Sequence, residues 1–194
     1  MLLAKPSYAL GLGAAVAALA LVWLVATGPD DVVGLVAFVA RFVHIGAAML
    51  WVGMIWFVNF VQLVVLQEVG ELEREVLLAR IVPRVMALLT AASHVVLASG
   101  AVLLLSTGYL LDRWVFPSAV YIPTARAVML WSGAAGGLAM WWLVRAVIRP
   151  GVRTILDGGA PAAAARERVL VAARINLALA VPVTFAMIAA AHLV

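Results

Sequence analysis

Long apolar runs separated by short clusters of charge, glycine and proline set the pattern of this chain. Five runs are long enough to cross a hydrocarbon core, which takes about 20 helical residues for roughly 30 Å. They are read at Tyr8–Thr27, Val32–Leu66, Arg84–Leu111, Thr124–Ile148 and Arg168–Val194. The first has Lys5 ahead of an apolar core, as a signal peptide does, but it is expected to be retained as a helix. Between the second and third runs, Gln67–Pro83 mixes Glu68, Glu71, Glu73, Glu75, Arg74 and Arg80 with Leu72, Val76, Leu77 and Leu78. That mixture predicts a short amphipathic helix at the interface, and Pro83 restarts the chain as the third span. Gly158-Gly159-Ala160-Pro161 predicts a break followed by a helix start, with the last helix projecting from the bilayer. Trp114, Phe116 and Tyr121 in the loop before the fourth run suit an interfacial aromatic belt.

These elements predict an all-α integral membrane bundle of five transmembrane helices, one domain over residues 1–194. Composition agrees: of 194 residues, 67% are hydrophobic and 11% charged. The net charge of +4 is a topology signal. With the N-terminus inside and the C-terminus outside, ten of the 13 basic residues fall on the inner side. Only Arg41, Arg113 and Arg126 fall outside. Anionic lipid headgroups are the partners such a bias suits, and no nucleic-acid motif accompanies it. Absence of cysteine excludes disulfides, thiolate metal sites, iron–sulfur clusters and covalently attached haem from this chain.

The ionisable residues inside the runs carry the functional signal, because such groups are costly in a membrane. Arg41-x-x-His44 opens the second span, with Trp51 two turns further on the same face. His44 to Asn59 is 15 residues and Asn176 to His192 is 16, roughly 22 and 24 Å of helix. Antiparallel helices with those spacings set His44 against His192 and Asn59 against Asn176. Facing imidazoles can hold haem iron without any cysteine. Arg41 and Arg126 lie where propionates would need partners. Ala47, Ala48 and Ala189 leave room for a flat macrocycle. His94 is placed deeper, where it could ligate a second haem with Met140, replace one member of the outer histidine pair, or serve as a buried polar contact. The asparagines are read as structural. Gly133, Gly136 and Gly137 form a small-residue face on which a helix or a flat ligand can lie.

Several motifs in order resemble the membrane domain of bacterial membrane-bound urate oxidases. These are Arg41-x-x-His44 with Trp51-x-Gly53, Met140-Trp141 with Ile148-x-Pro150, and Arg174-x-Asn176 with Pro182, Phe185-x-Met187 and His192. A looser likeness joins copper-resistance and protoporphyrinogen-oxidase-type haem membrane domains. The resemblance implies electron delivery to a c-type cytochrome, here expected to be a separate protein.

The leading expectation is thus a haem b electron-transfer protein or subunit of the bacterial inner membrane. Its expected partners are membrane lipid and a c-type cytochrome or other redox subunit within a hetero-oligomeric complex. Two alternatives stay open: a membrane oxidase of urate or a porphyrin, and a cofactor-free structural subunit.

Overall fold

A computed structural model describes residues 6–28, 31–109, 124–159 and 161–192. The loop holding Arg113, Trp114, Phe116 and Tyr121 lies outside them. The described residues are helical throughout their regular elements, and five helices are long and apolar enough to span a membrane. In order they are α1 (Pro6–Thr27), α2 (Val32–Phe57), α3 (Leu63–Glu68), α4 (Glu71–Arg80), α5 (Val82–Ser106), α6 (Thr124–Leu143), α7 (Arg149–Asp157) and α8 (Pro161–His192). Two single π turns, Val58–Gln62 and Val144–Ile148, join α2 to α3 and α6 to α7 without interrupting either rod.

Local chemistry explains the boundaries. Asp31 caps α2 by accepting the Gly34 N–H on Oδ1 at 2.9 Å, satisfying one of the four unbonded donors at a helix start. Where α3 turns into α4, Arg74 donates to the Leu66 and Val69 carbonyls at 2.8 and 3.2 Å and pairs with Glu71 at 2.6 Å. The last carbonyls of α3 thereby regain donors. Pro83 sits in the first turn of α5, where a missing N–H costs nothing. Gly158 and Gly159 both take positive φ (77° and 80°), and α8 starts at Pro161, as the glycine pair and the proline predict.

The amphipathic helix expected in the second loop is α4, with Leu72 and Val76 exposed and Leu77 and Leu78 half-buried. It runs almost directly into α5, so the third span begins at Val82, earlier than sequence suggested. The last helix likewise starts at Pro161, with charged Arg166, Glu167 and Arg168 exposed on its first turns.

Packing is pairwise. α2 lies along α5, and α6 and α7 lie along α8; fewer contacts join the two pairs, through α2 with α8 and α5 with α6. Trp51, Ile55, Leu89, Met140, Val144 and Ala180 form the common core where the pairs meet. Large apolar side chains elsewhere, such as Phe42, Trp142 and Phe185, point outward, as lipid-facing residues must. α1 buries none of its residues.

The small-residue face of α6 receives α8. A Cβ on Gly136 would collide with Val183 Cγ2, and one on Gly133 would lie 3.1 Å from Met187 Cε. Close helix approach, not a flat ligand, uses this face. A Cβ on the neighbouring Gly137 would meet nothing within 4 Å. Gly136→Ala should therefore destabilise the bundle by about 1–2 kcal/mol, whereas Gly137→Ala should stabilise it by up to about 1 kcal/mol. Thermal melts of helical circular dichroism in detergent should show the two midpoints moving in opposite directions.

Candidate functional site

His44 sits in the seam between α2 and α5. Its Nδ1 lies 2.9 Å from the Val96 carbonyl oxygen and 3.4 Å from Ser99 Oγ. A carbonyl can only accept, so Nδ1 carries the proton and the neutral ring keeps its lone pair on Nε2. Gly100 makes this possible. A Cβ there would stand 3.1 Å from His44 Cε1, so any larger residue crowds the ring. Ser99 Oγ donates to the Val95 carbonyl at 2.5 Å, which leaves its oxygen lone pair toward the imidazole.

The other histidines repeat the arrangement on their own helices. His192 Nδ1 donates to Ile188 O at 2.9 Å and His94 Nδ1 to Thr90 O at 2.6 Å, both one turn back. Both rings are exposed in the bundle. His94 also meets Trp141 of α6 edge-on, with ring centroids 6.0 Å apart. Each histidine thus commits Nδ1 to main chain and leaves Nε2 as the available nitrogen. The rings of His44 and His192 are neither hydrogen-bonded nor stacked on each other.

The remaining expected residues fall in distinct places. Arg126 is half-buried beside the end of α8, donating from Nε to Ala190 O at 2.8 Å, with its guanidinium 5.3 Å over the Tyr109 ring. It therefore shares an end of the bundle with His192, and its two Nη groups keep their donors. Arg41 is exposed. Trp51 is 3% exposed, inside the core, and its Nε1–H has no acceptor. Among the described residues no three His, Asp or Glu side chains cluster as a metal-binding group.

At the other end of the bundle lies a feature that sequence reasoning took for structural glue. Asn59 is 1% exposed and Asn176 2% exposed. Asn59 Nδ2 donates to Ile55 O at 2.9 Å and across to Ala173 O of α8 at 3.3 Å. The proximity of Asn59 to this part of α8 matches the register reading, but no bond joins the two amides. Both Oδ1 atoms, and Gln62 Oε1, are buried without a donor.

The π turn explains why Arg174 is here. Leu63 N–H reaches back five residues to Val58 O, so the usual four-residue pairing with Asn59 O is displaced. Arg174 Nη1 donates to that carbonyl at 3.2 Å instead. Pro150 accounts for the second π turn: it lacks an N–H and crowds the carbonyl four residues back, and the wider turn relieves both. The polar pair Asn59-x-x-Gln62 inside an apolar run was the available sequence signal for this region.

Comparison with family models, curated proteins and solved structures finds no match for this chain. The residues alone therefore carry the functional reading.

Arg174→Met leaves the Asn59 carbonyl without its donor and should cost about 1–3 kcal/mol. Arg174→Lys should recover part of that. Hydrogen exchange of the backbone amides in residues 59–64 should accelerate in the methionine variant and much less in the lysine variant.

Proposed function

We propose that the protein is a b-type haem-binding electron-transfer protein or subunit of the bacterial inner membrane, with His44 and His192 as the iron ligands. One observation carries the reading: across the seam between α2 and α5, His44 Nδ1 donates to Val96 O, and Nε2 keeps a free lone pair. Ligating histidines use such a bond from the nitrogen away from the metal to fix the tautomer and orient the ring. His192 holds its own Nδ1 in the same way.

Three further observations fit the group. Arg126, anchored by Nε, has Nη donors for a propionate near the end of α8. Trp51 Nε1–H, two turns from His44, is a buried donor in want of an acceptor. Arg41 lies one turn from His44 and is exposed, open to pairing with a propionate. His94, beside Trp141, is the reserve ligand.

When bound, haem supplies a one-electron carrier; the chain's part is to hold it, orient it and set its potential through burial and hydrogen bonding. His44 does the orienting through Val96, and Gly100 keeps the ring's place clear. With the N-terminus inside, by the distribution of basic residues, this end of the bundle faces outward. There a separate c-type cytochrome or another redox subunit of a larger assembly can exchange electrons.

Purified protein should show a Soret band and a pyridine haemochrome spectrum with a defined haem-to-protein ratio. His44→Ala and His192→Ala should each abolish or shift that band, while His94→Ala should leave most of it. Absence of any Soret band, together with absence of extractable haem under mild conditions, overturns the proposal.

A further inference from the structure

A cavity lies between α2–α3, α5, α7 and α8, away from the histidine end of the bundle. Its volume is about 480 Å³. Ile55, Met86, Leu89, Ile148 and Val169 are among the many aliphatic groups that make its walls. Asn59, Gln62 and Asn176 also line it, and each brings a buried amide oxygen without a donor. Both π turns contribute to the lining, and such turns recur where a helix has been adapted to hold something.

The orientation of one amide is settled by its neighbours. Asn59 Nδ2 faces two carbonyl oxygens, Ile55 O and Ala173 O. Turning the amide over would set its oxygen against both. Asn59 Oδ1 is therefore an acceptor, and a buried acceptor calls for a donor. Ordered water is the simplest donor, but it needs two to four polar partners and a site of its own size. This cavity is far larger than one water and mostly aliphatic. It calls for an apolar body with a donor-bearing head.

The head is neutral. Arg74 reaches the lining, but all three of its guanidinium nitrogens are already engaged, with Leu66 O, Val69 O and Glu71. Arg166 and Glu167 also contribute, both exposed and of opposite sign, on the first turns of α8. Among the described residues that line the cavity, no buried cation is left unpaired to await a phosphate or carboxylate. We infer that the cavity binds a membrane-soluble hydroquinone-type molecule, one hydroxyl of which donates to Asn59 Oδ1 while the other meets the Asn176 amide, which can accept from it or donate to it. Its oxidised quinone has only acceptors to offer: it could take bonds from the Asn176 and Gln62 amide N–H groups but would leave Asn59 Oδ1 unpaired. The Asn59 acceptor therefore favours the reduced form. This inference does not depend on haem.

The test uses the full chain in phosphatidylcholine–phosphatidylglycerol nanodiscs, under anaerobic conditions, with a decyl hydroquinone and the matching decyl quinone as probes. Titration calorimetry against empty nanodiscs should give saturable binding, with the hydroquinone preferred by about tenfold or more. Asn59→Leu should erase the preference, while Asn176→Leu should weaken binding of both forms by about tenfold and keep the preference, with an unchanged melting midpoint. Should Asn59→Leu fail to fold, Asn176→Leu decides: unchanged binding of both forms in that variant overturns the inference. Decanoate, with the same tail length and an anionic head, should not compete. Binding no greater than partition into empty nanodiscs, equal affinity for both redox forms, or displacement by decanoate overturns the inference. So does an experimental structure with hydroquinone present that shows only water on Asn59 and Asn176. Each readout is independent of haem content, so a protein without a Soret band can still bind the hydroquinone, and one with it can fail to.

Discussion

A main-chain carbonyl in hydrocarbon must find its donor inside the protein, and that constraint organises the working parts of this bundle. Ordinary helical turns meet it automatically. The π turn at Val58–Gln62 does not, and Arg174 reaches across from α8 to the Asn59 carbonyl. At the α2–α5 seam the roles reverse: the carbonyl of Val96 holds the imidazole of His44. Arg126 does for Ala190, near the end of α8, what Arg174 does for Asn59. In each case a side chain that membrane helices seldom carry is bound to backbone, so helix-to-helix register and side-chain orientation are fixed by one bond.

Of these bonds, Arg174 to Asn59 ties the two helix pairs together, and the other two act within a pair. α2 with α5, and α6 with α8, approach closely because Gly100, Gly133 and Gly136 present no side chain at the crossing points. Between the pairs, contact is concentrated around Trp51, Ile55, Met140 and Ala180, then around Asn59 and Arg174. The polar junction lies at the end where the pairs leave a cavity. Apolar packing alone gives little reason for helices to associate when lipid tails are equally apolar, so specific polar contacts matter more here than in a soluble core.

Much of the scaffold was legible in the sequence because it depends on local signals. Run length gave the five spans, Gly158-Gly159 and Pro161 gave the last turn, and the alternation of charge with leucine gave α4. The small face of α6 was visible too, although only its contact with Val183 and Met187 decided that a helix occupies it. The site was legible in part. His44, His192, Arg126 and Trp51 stand out by residue type, but their partners do not. Val96 contributes a main-chain carbonyl, which no side-chain pattern announces, and Gly100 matters through what it lacks. The π turn at Val58–Gln62 was hidden because its residues read as ordinary helix; only Pro150 hinted at the second one. Matching the amides by register correctly brought Asn59 toward Asn176's part of α8, yet it assumed that they satisfy each other. Asn59 turns its Nδ2 to Ile55 and Ala173 instead.

One helix takes no part in any of this. α1 is apolar around its whole circumference and buries none of its 22 residues. Nothing in the core depends on it, so the other four spans carry their own packing, their own polar junctions and their own cavity. Any apolar sequence of the same length in place of α1 would leave the packing of the other four spans intact. The crossing points of the other four have no such latitude.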